Sequence, residues 1–111
     1  MIIAFVRIPH PAERPSGEAV TARSVESTKI YNDVKGLRRK YYLNGTEAGG
    51  GVYEFESREA AEAWFNDGWA DWMEGRFGVR PTLEIFENRV VLDNERGEVR
   101  VDGSAIAAPW E

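Results

Sequence analysis

The sequence predicts an α+β fold with the element order β-α-β-β-α-β, the ferredoxin-like arrangement of a four-stranded antiparallel sheet with two helices on one face. Three stretches predict it. A run rich in β-branched residues opens the chain, two alternating segments flank a polar, Gly-rich loop in residues 37–56, and a Trp-rich segment with helical spacing follows. With 111 residues, the chain is long enough for one compact core and too short for two.

The first strand and the first helix are separated by a proline-rich loop. Ile2–Ile8 is dense in β-branched residues, which favours a strand covered on both faces. Pro9, Pro11 and Pro15 then exclude regular structure, and the long loop is either a solvated connection or a lid. Ser16 is a good N-cap, and an acidic residue follows in the first turn, so a helix is predicted over Gly17–Asp33.

The two alternating segments, Leu37–Leu43 and Gly51–Glu56, predict a β-hairpin. Pairing Lys40 with Glu54 places opposite charges side by side and sets Tyr41 beside Tyr53 on the other face. A slip of one residue would mix charge into the apolar layer, so this register is the expected one, with a loop over residues 44–50.

The remaining elements follow in order. Ser57 is the predicted N-cap of a second helix that ends near Gly75, and its apolar residues recur at helical spacing. A fourth strand is predicted at Thr82–Glu87, after a proline. The tail alternates around a turn at 94–97 and is interpreted as an extra hairpin. We therefore predict one domain over residues 1–111, with its core in 2–87 and a C-terminal tail in 88–111.

Composition excludes several classes of function. The net charge of −5 argues against general binding of nucleic acid, and Gly50 and Val52 occupy the positions where an RNA-recognition motif of the same element order would carry stacking aromatics. No apolar run is long enough to span a membrane, and a cytoplasmic location is expected. The absence of Cys and the single His leave no thiolate nucleophile and no His-rich metal site. We expect no metal and no cofactor.

A homodimer is predicted from the sheet. Its strands carry Ile, Val or Tyr on both faces, while the helices cover only one face. A lone subunit would expose an apolar surface of a size that usually marks an interface. Two sheets packed face to face about a twofold axis would bury it.

Four segments resemble the YdhR-type mono-oxygenases of the dimeric α+β barrel superfamily: Gly36–Leu37, Lys40–Leu43, Ala48–Ser57 and Ala60–Trp64. The resemblance covers about residues 2–87 and is strongest over 36–65. It implies a homodimer with one pocket per subunit between the sheet and the helices. The superfamily includes cofactor-free quinol-forming mono-oxygenases, haem-degrading enzymes and isomerases, and the resemblance supplies no catalytic residue.

Cofactor-free oxygenation requires a pocket for an electron-rich aromatic, a group that removes a proton, and a dry space for O₂. The predicted hairpin face offers Arg39, Tyr41, Tyr53 and Phe55. Arg39 would stabilise an anionic substrate and Tyr41 would relay a proton, with Tyr53 and Phe55 in contact with the ring. The alternative is that Arg39 extends to the sheet edge and that the tyrosines are ordinary core residues.

Four further residues are candidates. His10 belongs to the residue type that changes charge near neutral pH, so it is either a catalytic base or a solvated loop residue. Arg7 either lines the pocket or forms an ion pair in an interface. Trp64 and Trp72 bind the substrate or, as their helical spacing also predicts, belong to the core.

The function that best fits these observations is a cofactor-independent mono-oxygenase acting on a small aromatic or polyketide-like substrate. A non-catalytic module that binds or senses a small molecule is the alternative from a different class. An isomerase on the same fold is a further alternative.

Overall fold

The computed structural model describes all residues from Met1 to Glu111. It contains a four-stranded antiparallel sheet in the order β2-β3-β1-β4, with three helices on one face. This confirms the predicted α+β fold. The strands are β1 Ile2–Pro9, β2 Leu37–Asn44, β3 Ala48–Phe55 and β4 Thr82–Glu87, and the helices are α1 Gly17–Tyr31, α2 Arg58–Trp64 and α3 Trp69–Phe77.

The core lies between the sheet and the helices. Alternate residues of β1 and β3 point into it, as the period of two requires. Phe65, between α2 and α3, contacts Tyr53 and Phe55 edge to face, with ring centroids 5.1 and 5.9 Å apart. The nine buried residues of the core are Ile2, Ala4, Val6, Tyr31, Tyr53, Phe55, Ala61, Trp69 and Met73.

The central pair of strands approaches closely at Gly50. This residue has φ +137°, and a Cβ atom there would lie 1.9 Å from the carbonyl oxygen of Val6. Only glycine fits this position, because any larger residue would clash with the backbone of β1. The Gly-rich start of β3 is therefore a requirement of strand packing.

The helices α1 and α2 begin at the predicted N-caps, but their C-terminal ends differ from the prediction. The hydroxyls of Ser16 and Ser57 accept hydrogen bonds from the N–H groups of Ala19 and Ala60, as N-caps do. The first helix ends at Tyr31, two residues earlier than predicted.

The prediction of one continuous second helix was wrong. Phe65 leaves helical geometry with ψ 55°, and the side chain of Asn66 then accepts a hydrogen bond from the N–H of Gly68. Such local turns compete with a helix. A separate helix runs from Trp69 to Phe77, and its C-cap is Gly78 in the left-handed region, not Gly75.

The predicted hairpin register was also wrong. Lys40 pairs with Tyr53 and Tyr41 pairs with Val52, because the register shifts between Leu37 and Arg39. An extra residue in one strand exchanges the faces of the residues that follow it. Lys40 consequently faces the helices with Tyr53, and Arg39 and Tyr41 lie on the opposite, outer face.

The C-terminal tail forms a second antiparallel sheet of three strands: β5 Val90–Asp93, β6 Glu98–Val101 and β7 Ser104–Ile106. The predicted hairpin around residues 94–97 is therefore present, and a third strand extends it. Arg89 pairs with Asp102 at 2.7 Å and ties the start of this sheet to its second turn. None of the helices is long and apolar enough to cross a membrane.

The outer face of the four-stranded sheet carries large apolar side chains that no helix covers. Phe5, Tyr41, Leu43 and Phe86 are 37 to 46% exposed. They come from three different strands, so they form a surface and are not isolated residues.

Candidate functional site

A cavity of about 170 Å³ lies between the inner face of the sheet and the helices α1 and α3. Its sheet side includes Val6, Lys40, Tyr42 and Tyr53. The first loop and the ends of β2 and β3 next to the hairpin turn contribute residues at one end. This is the place where the resemblance described above expects a pocket between sheet and helices.

Lys40 is the central cation of the cavity. Its Nζ lies 3.4 Å from the ring centroid of Tyr31, 4.1 Å from that of Tyr42 and 4.7 Å from that of Tyr53. No carboxylate is within ion-pair distance of it, and it makes no side-chain hydrogen bond. The ammonium group therefore has aromatic faces as its neighbours in place of a counter-ion.

The charge of Lys40 changes near neutral pH. Burial, and then the positive charge of Arg76, lower the pKa of Lys40 from 10.5 to about 7. The three tyrosine faces act in the opposite sense, because they attract the cation. A lysine in this condition offers a neutral amine that is able to accept a proton at physiological pH.

Two of the cavity tyrosines, Tyr53 and Tyr42, have different surroundings. Tyr53 is 1% exposed, and burial, followed by the proximity of Tyr31, raises its pKa well above the ordinary value. Tyr53 therefore stays a neutral phenol, which is able to donate a hydrogen bond and does not act as a base. The hydroxyls of Tyr42 and Ser27 are hydrogen-bonded to each other at 3.1 Å, which connects β2 to α1 across the cavity.

Two arginines line the end of the cavity near α3. The guanidinium carbons of Arg23 and Arg76 lie 5.3 and 5.0 Å from the centroid of the same ring, Phe77. Arg76 also lies 4.9 Å from the ring of Trp72. Neither arginine forms an ion pair, and no Asp or Glu lines the cavity.

The first loop is attached to the hairpin turn at the other end of the cavity. His10 Nε2 lies 2.6 Å from the carbonyl oxygen of Gly45 and is therefore its hydrogen-bond donor. Arg14 donates to the carbonyl oxygens of Gly45 and Thr46 at 3.0 and 3.2 Å and to Asn44 Oδ1 at 3.0 Å. These contacts hold the proline-rich loop over the end of the cavity.

Some residues predicted for the site lie at the cavity and others do not. His10 and Tyr53 line it, whereas Phe55 packs in the core beside Tyr53. Arg39 and Tyr41 are on the outer face, where hydrogen bonding of the Arg39 guanidinium to the Tyr41 oxygen, and then the charge of Glu54, raise the pKa of Arg39. The expectation that Arg39, Tyr41, Tyr53 and Phe55 share one face of the hairpin was wrong, because the register shift places Arg39 and Tyr41 on the outer face.

The other candidates, Arg7, Trp64 and Trp72, do not line the cavity. Arg7 is on the outer side of β1, and its guanidinium is 3.9 Å from the carboxylate of Glu47. Trp64 contacts Tyr31 and Trp72 edge to face at 5.4 and 5.8 Å and does not line the cavity. The functional roles assigned to all these residues stay predictions.

All four cations that line the cavity besides His10 were absent from the predicted site: Arg14, Arg23, Lys40 and Arg76. For Arg76 a signal existed. Arg76 lies seven residues after the buried Trp69 and three after the buried Met73, so it continues the apolar stripe of its helix. A charge in such a stripe faces the interior or its edge.

No family model and no curated protein matches the chain. Several solved structures share its fold. A protein of unknown function from Nitrosomonas europaea, NE2512, has a TM-score of 0.56 at 18% identity, with 78% of this chain and 87% of that chain covered.

Two others are oxygenases from Streptomyces. The monooxygenase from the gene ActVA-Orf6 of Streptomyces coelicolor, solved with Nanaomycin D, has a TM-score of 0.57 at 19% identity and covers 82% of this chain and 89% of its own. SnoaB from Streptomyces nogalater, a cofactor-independent oxygenase, has a TM-score of 0.56 at 12% identity, covering 82% and 96%. At these identities the likeness establishes the fold, and the YdhR-type resemblance stays a prediction.

Proposed function

We propose that the protein is a cofactor-independent mono-oxygenase acting on a small aromatic or polyketide-like substrate in the cavity between the sheet and the helices. The observation that carries the proposal is Lys40, an amine with a pKa of about 7 that faces three tyrosine rings and has no carboxylate partner. The shared fold with SnoaB and the ActVA-Orf6 monooxygenase supports it.

In the proposed reaction, Lys40 removes a proton from an acidic C–H or O–H group of the substrate. The resulting anion gives one electron to O₂, and the two radicals combine to a peroxide. The peroxide then eliminates water, for which Lys40 returns its proton. A methylene group thereby becomes a carbonyl group, with one oxygen atom in the product and the other in water.

The surrounding residues suit this chemistry. The rings of Tyr31, Tyr42 and Tyr53 provide flat apolar surfaces for an aromatic substrate. The phenol of Tyr53 stays protonated, so it is able to donate a hydrogen bond to the developing oxyanion. The loop held by His10 and Arg14 limits the access of water at one end.

The test is O₂ consumption with a neutral hydroxyanthrone, whose central methylene group is acidic. Lys40→Met should lower kcat/KM by about 100-fold or more, the usual contribution of a general base. In the unmodified protein kcat/KM should rise as the pH passes about 7. Lys35→Met, which removes an exposed lysine outside the cavity, is the control.

Two outcomes would contradict the proposal. One is a Lys40→Met variant that consumes O₂ at the rate of the unmodified protein. The other is hydroxyanthrone that binds in the cavity and stays unchanged under air, which would identify a non-catalytic binding module.

We also propose that the protein is a homodimer that packs through the outer face of its sheet. The partly exposed Phe5, Tyr41, Leu43 and Phe86 support this, because face-to-face packing would remove them from water. The cytoplasmic location stays a prediction.

A further inference from the structure

The cavity is lined by cations in a protein that is acidic as a whole. The chain has 19 Asp and Glu residues and a net charge of −5, yet none of these acids lines the cavity. Arg14, Arg23, Lys40 and Arg76 do. Cavities lined by one sign of charge concentrate ligands of the opposite sign.

Besides Lys40, two arginines among these cations have free hydrogen-bonding capacity. Arg14 is engaged with the hairpin turn, whereas Arg23 donates no side-chain hydrogen bond and Arg76 has only Met73 Sδ at 3.9 Å. Both guanidinium groups lie beside the ring of Phe77, and the N–H edge of neither one donates to a protein oxygen. A planar carboxylate matches such an edge with two parallel hydrogen bonds.

We propose that Arg23 and Arg76 bind the carboxylate of an aromatic carboxylic acid, whose ring lies against the tyrosines of the cavity. The inference rests on the proposed function in one respect: it assumes that aromatic carboxylic acids are the substrate class of the proposed mono-oxygenase. The carboxylate would lie at the α1–α3 end of the cavity, and the acidic C–H or O–H group would point towards Lys40.

Binding of the carboxylate should change the protonation of Lys40. The charge of Arg76 is one of the two causes that lower the pKa of Lys40. A carboxylate on Arg76 offsets that charge, so the pKa of Lys40 rises when the ligand binds. At about pH 8, where the free amine is mostly neutral, binding should therefore take up a fraction of a proton from solvent.

The test uses two probes that O₂ does not attack, 2-naphthoate and its uncharged counterpart 2-naphthamide, in calorimetric titrations under argon at about pH 8. We expect naphthoate to bind at least about 10-fold more tightly than naphthamide. Arg23→Gln and Arg76→Gln should each weaken naphthoate by about 10-fold and leave naphthamide within about 2-fold. Arg58→Gln, which removes an exposed arginine of α2, is the matched control.

Proton uptake is measured by repeating the naphthoate titration in two buffers of different ionisation enthalpy. The unmodified protein should take up a fraction of a proton, and Lys40→Met should bind without uptake. This readout separates a role in charge recognition from a purely structural role of Arg76, and Arg76→Lys should restore part of the affinity.

Equal affinity for naphthoate and naphthamide would overturn the inference, as would an Arg23→Gln or Arg76→Gln effect no larger than that of Arg58→Gln. If Arg76→Gln does not fold, two other measurements test the inference. They are the affinity of Arg23→Gln, on the other helix, and the comparison of the two probes on the unmodified protein. A preference for naphthoate without any O₂ consumption from hydroxyanthrone would refute the mono-oxygenase proposal alone. O₂ consumption from hydroxyanthrone without that preference would refute this inference alone.

Discussion

Replacing Lys40 with methionine should stabilise the protein in a pH-dependent way. Methionine has a similar length and fills the space among Tyr31, Tyr42 and Tyr53 without a charge. The gain over the unmodified protein should be largest below neutral pH and should vanish in alkaline solution.

The sign follows from the pKa of Lys40, which is about 7 in the folded protein and ordinarily 10.5. Between these values the unfolded chain binds the additional proton, so the unmodified protein becomes more stable as the pH rises. The whole difference between these two pKa values corresponds to a change of about 5 kcal/mol in the free energy of unfolding. Lys40 keeps some contact with solvent, and three rings attract its ammonium form, so we expect about 2 kcal/mol.

The measurement is urea unfolding of both proteins at about pH 6, 8 and 9.5, at equal protein concentration because self-association adds to stability. The difference between the pH values removes packing effects that do not depend on pH. Lys35→Met, at an exposed position, should show no such dependence. A Lys40→Met gain that is constant with pH, or that grows as the pH rises, would refute the assignment.

Three further predictions concern the dimer, the backbone and cofactors. Phe5→Glu should give a monomer by light scattering at micromolar concentration, whereas a monomeric unmodified protein would exclude the dimer. Gly50→Ala should cost about 3 kcal/mol or more in chemical unfolding, because the new Cβ would meet the Val6 carbonyl, whereas Gly97→Ala, at positive φ in open space, should cost about 1 kcal/mol. The purified protein should show no stoichiometric absorbance of haem or flavin, and such absorbance would contradict the expectation that it needs no cofactor.

The fold was predictable because its signals are local and agree with one another. The serine caps at Ser16 and Ser57 and the strand at Thr82–Glu87 are where the sequence predicts them. The break after Trp64 was missed, since the apolar spacing continues through it. The Asn66–Gly68 turn chemistry was the available signal.

The site was harder to predict because it depends on one bulge. In the segment from Leu37 to Leu43, basic residues and tyrosines occupy both odd and even positions, so either register satisfies the pattern. Alternation alone does not reveal an extra residue near Arg38. The shift turns Lys40 inward and Arg39 outward, and it thereby decides which cation lies in the cavity.

The cavity departs from the pattern of the rest of the chain. Elsewhere, Arg80, Arg89 and Arg100 are each paired with carboxylates, whereas Arg23, Lys40 and Arg76 share a cavity without one. A single acid in the lining would relieve this repulsion and stabilise the fold. It would also hold Lys40 in the ammonium form near neutral pH and occupy the guanidinium edges. The absence of that acid therefore lowers the stability of the fold at the cavity, where a neutral amine and an unoccupied anion site are useful. Such a conflict between stability and function is expected at a functional site.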